Sequence, residues 1–159
     1  MKNKLLILVA FLTIGLMSCD LGDDPDPGGT ATQAVAGEWF TTFNVAGDVG
    51  GGYSLITTSN TAANVANEFL ITDNGNQWDY KVKSPLNLDA KTFGGTDLQN
   101  IAYDIKVNIT DGKILPGAAT TTGGNVTDSI YFKIEFTDDP GTIYEVAGYR
   151  RTGFLEDEH

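Results

Sequence analysis

Apolar and polar residues alternate along much of this chain with a period of two, in short runs that begin near residue 37. The clearest runs span residues 78–83, 101–110 and 130–136, and each places large apolar side chains at every second position. Successive side chains of a β-strand point to opposite faces of a sheet, so these runs predict antiparallel strands with one buried face. Turn-forming sequences at 73–76, 111–112 and 138–141 predict hairpins beside these strands.

Weaker runs of the same kind raise the expected number of strands to about eight or nine. They cover residues 39–45, 53–58, 67–72, 86–93 and 113–115. No long run with a helical period is present to cover an apolar sheet, so the sheet must close on itself or pack against a second sheet. We predict an all-β fold, an antiparallel up-and-down barrel of about eight strands, with a β-sandwich as the alternative.

The first and last strands of the predicted domain favour the barrel. Gly37, Glu38 and Trp39 open the first strand, and the alternation turns the Trp39 indole inward. In the last strand the alternation turns Arg150 inward and Arg151 outward. An arginine over a buried indole would form a cation–π contact, which contributes about 0.5–2 kcal/mol. Such a pair is similar to the closure of lipocalin-like, or calycin, barrels.

The N-terminal segment has the pattern of an export signal. Two lysines precede an apolar run at 5–16, which is shorter than the roughly 20 residues of a membrane-spanning helix. The sequence LMSC at 16–19 resembles the lipobox of bacterial lipoproteins, which implies cleavage after residue 18 and an acyl anchor on Cys19, the only cysteine. An ordinary cleaved secretory peptide is the alternative. We expect a signal peptide at 1–18, a lipidated, acidic and disordered tether at 19–34, and a β-barrel domain at 35–159.

Composition narrows the chemistry that the chain can perform. Ten basic residues against 21 acidic ones give a formal charge of −11, which disfavours nucleic acid and anionic membrane surfaces as partners. Cys19 is assigned to the anchor and His159 is the sole histidine, so thiolate sites and most histidine-dependent hydrolase schemes lack their residues. No Gly-X-Ser-X-Gly pattern occurs. We predict no catalytic residues, no metal site and no cofactor.

Several stretches resemble the lipid-binding putative hydrolase family of Bacteroidetes lipoproteins. They are AGEWF at 36–40, NTAANVANE at 60–68, NQWDYKVK at 76–83, YDIKV at 103–107 and GYRRTGF at 148–154. The resemblance implies an exported, calycin-like protein that binds lipid, with hydrolysis named as a further activity, but it carries no catalytic residues onto this chain. In that lineage the acidic run after Cys19 resembles a signal for display on the cell surface, and a solvated spacer is the alternative. We expect the protein in the cell envelope, at the outer membrane.

Inward-facing aromatic residues are the candidates for a ligand site. We expect the interior to be lined by Trp39, Phe43, Phe69, Trp78, Tyr80, Tyr103, Phe132, Tyr144 and Arg150. An eight-stranded barrel is just wide enough either to be filled by its side chains or to hold one small ligand. Two hypotheses therefore stay open: a tethered barrel that binds a small apolar or amphipathic ligand, and an accessory lipoprotein with a filled barrel that contacts an envelope protein or a glycan. A hydrolase is the third hypothesis, and in each case we expect a monomer.

Overall fold

The computed structural model describes residues 28–48 and 50–159, and the strands within these residues form one closed antiparallel barrel. The strands are β1 (Gly37–Val45), β2 (Ser54–Asn60), β3 (Glu68–Thr72), β4 (Lys81–Asn87), β5 (Thr92–Gln99), β6 (Lys106–Thr120), β7 (Val126–Phe136) and β8 (Tyr144–Arg150). Each strand pairs with its neighbours in the sequence, and β8 returns to pair with β1. The up-and-down barrel is confirmed, and the fold is not the sandwich.

The alternation predicted at 130–136 is the clearest agreement between sequence and structure. Ile130, Phe132, Ile134 and Phe136 point into the barrel, and each is at most 1% exposed. Burying one such side chain contributes about 1.5–3 kcal/mol. In β7 one face lies against the barrel interior, so the period of two decides which of its residues form the core.

Strand β6 differs from the prediction at both ends. Residues 101–104 form bends before the strand, so Ile101 and Tyr103 are exposed. The hairpin expected at 111–112 is instead a bulge within β6, because the pairing with β7 continues on both sides of a register shift. Asp111 adopts a φ of 57°, and a Cβ on Gly112 would overlap the Phe93 carbonyl oxygen. The run at 113–115 therefore belongs to the same strand.

The region around β4 also differs from the prediction. The run at 78–83 enters β4 only at residue 81, because Asp79 has a φ of 57° in the connection before it. The run at 86–93 is divided between β4 and β5 by a turn in which the Asn87 side chain accepts a hydrogen bond from the Ala90 amide at 3.0 Å. Paired residues of β4 and β5 are Leu86 with Phe93 and Asn87 with Thr92, after which the two strands separate.

Residues before β1 pack against one end of the barrel. A 3₁₀ helix at Gln33–Val35 follows Thr32, and both Thr32 and Val35 are fully buried. The Thr58 hydroxyl donates to the Val35 carbonyl at 2.6 Å. The last residues assigned to the tether, 31–34, thus contact the barrel. The predicted signal peptide and Cys19 lie outside the described residues.

The C-terminal segment lies along the outer wall. A second 3₁₀ helix at Leu155–Asp157 buries the Asp157 carboxylate, which accepts hydrogen bonds from the Gly123 amide, the Asn125 side chain and the Thr152 hydroxyl at 2.6–3.0 Å. The His159 ring stacks on Tyr53 with centroids 4.3 Å apart. Within the described part of the chain, no helix has the length and apolar character needed to traverse a lipid bilayer.

Candidate functional site

One end of the barrel is closed by the pair predicted from the sequence. Trp39 and Arg150 are register partners across β1 and β8, and the guanidinium carbon lies 4.7 Å from the indole centroid. Arg150 also donates to the Ala36 carbonyl at 2.8 Å and forms an ion pair with Asp128 at 3.1 Å. A Cβ on Gly37 would lie 3.1 Å from the Arg150 guanidinium, which explains why glycine precedes this indole by two residues.

Four of the predicted ligand-site residues are instead core residues. Trp39, Phe69, Tyr80 and Phe132 are fully buried. Phe93, which the prediction missed, lies between two of them: its ring centroid is 5.1 Å from that of Phe69 and 5.6 Å from that of Phe132. These contacts fill the middle of the barrel with side chains, so the walls of the expected cavity are its packing.

Aromatic side chains gather at the opposite end, where β1 ends and β8 begins. We call Phe43, Trp78, Phe136 and Tyr144 the mouth cluster. Phe43 stacks on Tyr144 with centroids 4.6 Å apart, and Trp78 stacks on Phe136 at 4.9 Å. Trp78 and Tyr144 lie 5.2 Å apart and so join the two pairs. Phe136 is buried, but Phe43, Trp78 and Tyr144 are only partly buried and reach the surface.

A buried carboxylate holds the loop that carries Trp78. Asp73 has no exposed surface and accepts hydrogen bonds from five backbone amides at 2.7–3.0 Å, which are those of Gly75, Gln77, Trp78, Asp79 and Tyr80. The sequence at 73–76 predicted a turn here but not the reach of this carboxylate. These five hydrogen bonds to a charged acceptor hold the loop against the barrel and position the indole in the mouth cluster.

The same loop places the Gln77 side chain just inside the mouth end of the barrel. Its amide donates to the Thr41 hydroxyl at 2.9 Å and the Ser54 hydroxyl at 2.8 Å, and it accepts from the Tyr80 hydroxyl at 3.0 Å. Burial, and then the charge of Asp73, raise the pKa of Tyr80 well above its usual value, so this phenol stays protonated as a donor. Gln77 thereby joins the loop to β1, β2 and the buried Tyr80 beside the mouth cluster.

Carboxylates surround the mouth cluster at its edge. Asp139 accepts a hydrogen bond from the Tyr144 hydroxyl at 2.7 Å, and Asp138 accepts one from Tyr103 at 2.9 Å. Burial and the bond to Asp139 raise the pKa of Tyr144 to about 12. Burial and the bond to Asp138 raise the pKa of Tyr103, with a smaller contribution from the charge of Asp79. Tyr103 was predicted in the interior, but it lies 37% exposed at this edge.

Exposed apolar side chains complete the same end. Val45 and Ile143 are each 44% exposed and lie side by side, since the amide after Val45 donates to the Ile143 carbonyl at 2.8 Å. Ile101 is 58% exposed in the connection between β5 and β6. Apolar groups around a cluster of aromatic rings are typical of a surface that meets a ligand or a partner.

Two apolar surface grooves lie where β4 and β5 separate. A groove of about 570 Å³ is lined by Pro85, Leu86, Phe93 and Ile109 among others, and one of about 340 Å³ by Pro85 and Leu98 among others. Both are open surface depressions. In the larger groove, Leu86 and Phe93 are 7% exposed and belong to the core.

The acid–base groups at the mouth are carboxylates and tyrosine hydroxyls. The His159 ring contacts the Tyr149 hydroxyl on the outer wall. No cluster of three or more histidine, cysteine, aspartate or glutamate residues that could hold a metal ion occurs within 28–48 and 50–159. What the arrangement offers is an aromatic surface with apolar and acidic borders.

Comparison with known proteins agrees with the resemblance of the sequence. A family model described as "Lipid-binding putative hydrolase" matches residues 24–155. The matched region includes every strand of the barrel, the Trp39–Arg150 pair and the mouth cluster. No curated protein matches the chain.

Proposed function

The chain belongs to the lipid-binding putative hydrolase family, and from that premise we propose that it binds a small apolar or amphipathic ligand, a lipid, at the mouth of its barrel. The observation that carries this proposal is the mouth cluster, in which three partly exposed aromatic rings lie together at one end. A ligand tail lying across these rings would be stabilised by about 25 cal/mol for each Å² of apolar surface removed from water.

The filled core directs the proposed site to the mouth rather than to the interior. Trp39, Phe69 and Phe132 occupy the space in which a barrel of this size would hold a ligand. Below the mouth, Gln77 is bound to Thr41 and Ser54, and Phe136 packs against the buried Tyr80. We therefore place the tail on the surface of the mouth cluster.

Tryptophan emission tests this proposal, because the chain has two tryptophans and they lie at opposite ends of the barrel. Apolar ligands should change the emission of Trp78 at the mouth, and the change should disappear in Trp78→Phe, which retains only Trp39. Phe43→Ala should weaken binding about tenfold, which corresponds to about 1.4 kcal/mol. The matched control is Phe154→Ala, since Phe154 is 55% exposed beyond the other end of β8. Equal weakening by both alanine variants would contradict a site at the mouth.

An accessory role is the second candidate function, and the filled core favours it. In that case Val45, Ile143 and Ile101 would contact an envelope protein or a glycan, and the barrel would serve as a scaffold. The two candidates differ in one measurement. If fatty acids, alcohols, sterols and amphipathic amines change neither Trp78 emission nor the melting temperature, the accessory role replaces ligand binding. We do not propose hydrolysis, since the sole histidine, His159, contacts Tyr149 on the outer wall and the family match brings no catalytic residues to the described part of the mouth.

We also propose that the protein is exported and anchored in the cell envelope, at the outer membrane, through lipid on Cys19. The lipobox-like sequence at 16–19 supports this, with the residues before Cys19 acting as a cleaved signal peptide and those after it as an acidic tether. Cys19→Ala should move the expressed protein from the detergent phase to the aqueous phase in a phase-separation assay. Continued partition of Cys19→Ala into detergent would contradict the anchor.

A further inference from the structure

The carboxylates at the mouth determine which head group the site accepts. We propose that the mouth selects amphiphiles whose head group is cationic, an amine or a quaternary ammonium, over those whose head group is anionic. This inference rests on the proposed function, because it assigns a head group to the ligand whose tail lies on the mouth cluster.

Three aspartates are close to the rings of the mouth and its edge. Asp138 and Asp139 are hydrogen-bonded to the hydroxyls of Tyr103 and Tyr144, and the charge of Asp79 also acts on Tyr103. Asp79 and Asp138 are exposed, and Asp139 is partly exposed. None of the ion pairs among the described residues involves these three carboxylates, so their negative charge remains available to a ligand.

The aromatic rings favour the same sign of charge. The face of an aromatic ring attracts cations, and ammonium groups are bound where several such rings meet. Trp78 and Tyr144 meet at 5.2 Å, and the Tyr144 hydroxyl leads directly to Asp139. A head group at this junction would contact ring faces on one side and carboxylates on the other. A carboxylate or phosphate head group placed there would face like charges.

Nearby lysines do not reverse this balance. Lys81 and Lys106 begin β4 and β6 at this end of the barrel, and both are exposed. Neither appears in an ion pair or a side-chain hydrogen bond with the three aspartates among the described residues. They alternate out of the barrel, since their neighbours Val82 and Val107 are fully buried.

Three amphiphiles with the same ten-carbon tail test the inference: decyltrimethylammonium, decanol and decanoate, each titrated below its micellar concentration at low salt with Trp78 emission as the readout. We expect decyltrimethylammonium to bind at least tenfold more tightly than decanoate, and added salt to reduce that ratio. The double variant Asp138→Asn with Asp139→Asn should reduce the ratio by at least threefold, while Asn still accepts hydrogen bonds from the two tyrosines.

A matched double variant separates the local effect from the net charge of −11. Asp89→Asn with Glu156→Gln removes two exposed negative charges at the other end of the barrel and should leave the ratio unchanged. Similar affinities for all three amphiphiles, or an equal effect of the two double variants, would overturn the head-group selection while the proposed function stands. Absence of binding by all three at high concentration would overturn the proposed function itself. Melting temperatures of both double variants near that of the wild type show that folding is preserved.

Discussion

Replacing Arg150 with alanine tests how the barrel is closed. The change removes the cation–π contact with Trp39 at 4.7 Å, the hydrogen bond to the Ala36 carbonyl at 2.8 Å and the ion pair with Asp128 at 3.1 Å. The first contributes about 0.5–2 kcal/mol and a hydrogen bond from a charged donor about 1.5–3 kcal/mol. The ion pair adds little, because both side chains are more than a quarter exposed. Since such contributions are not additive, we expect Arg150→Ala to lower the free energy of unfolding by about 2–4 kcal/mol.

Its neighbour in the sequence provides the control. Arg151 forms short ion pairs with Glu38 and Glu158, both at 2.7 Å, but on the outer wall in contact with water. Arg151→Ala should therefore cost less than Arg150→Ala. Arg150→Lys should fall between Arg150→Ala and the wild type, because lysine keeps the charge but lacks the planar group that stacks on the indole.

Urea denaturation followed by far-ultraviolet circular dichroism measures these differences without depending on tryptophan emission, which the change beside Trp39 would itself alter. The comparison holds if the slopes of the transitions are equal. Equal losses in Arg150→Ala and Arg151→Ala would refute the closing role of Arg150. Full stability of Arg150→Lys would refute the stacking contribution.

Three further predictions concern the loop that carries Trp78, the pairing of β8 with β1, and the C-terminal segment. Asp73→Ala leaves five amides without their acceptor and should cost about 3 kcal/mol or more in urea denaturation, with Trp78 emission shifted to the red; Asp73→Asn should fall between it and the wild type. Gly148→Ala should prevent stable folding, because the added Cβ overlaps the Phe40 carbonyl oxygen, whereas Gly52→Ala has open space and should melt normally. Burial alone would raise the pKa of Asp157. Hydrogen bonds from Thr121, Thr152, Asn125 and Gly123 together lower it by more than burial raises it, so the pKa of Asp157 lies below its usual value. Its contribution should be complete above about pH 4, the usual value for aspartate, and lost as the pH falls through the depressed pKa; a melting temperature of Asp157→Asn that declines with acid as steeply as that of the wild type would contradict this.

Local alternation predicted the strands that have one solvent-facing side and one buried side. Strand β7 is the clearest case, with its four apolar side chains buried at the predicted positions. The Trp39–Arg150 contact was predicted for the same reason, since the phase of each strand turned both residues inward. The predicted number of strands, eight or nine, agrees with the eight strands of the structure to within one.

The candidate site was predicted only in part. Phe43, Trp78 and Tyr144 do come together, but four other predicted residues fill the core and Tyr103 lies at the edge. Phe136 belonged to a predicted strand face yet was not expected at the mouth. Asp138 and Asp139 were assigned only to a turn, because a turn sequence does not show which hydroxyls its carboxylates meet.

The sequence by itself determined the faces of the strands, the inward phase of Trp39 and Arg150, and the acidic balance of the chain, because these depend on residue type and on a period of two. Only the tertiary structure decided that β6 passes through Asp111 and Gly112, that Asp73 gathers five amides, and that the core is filled. The physical reason is that alternation specifies a face but not a partner. Which strands meet, and where along them, depends on barrel closure, and closure brings the Phe43 ring of β1 onto Tyr144 of β8 at the mouth.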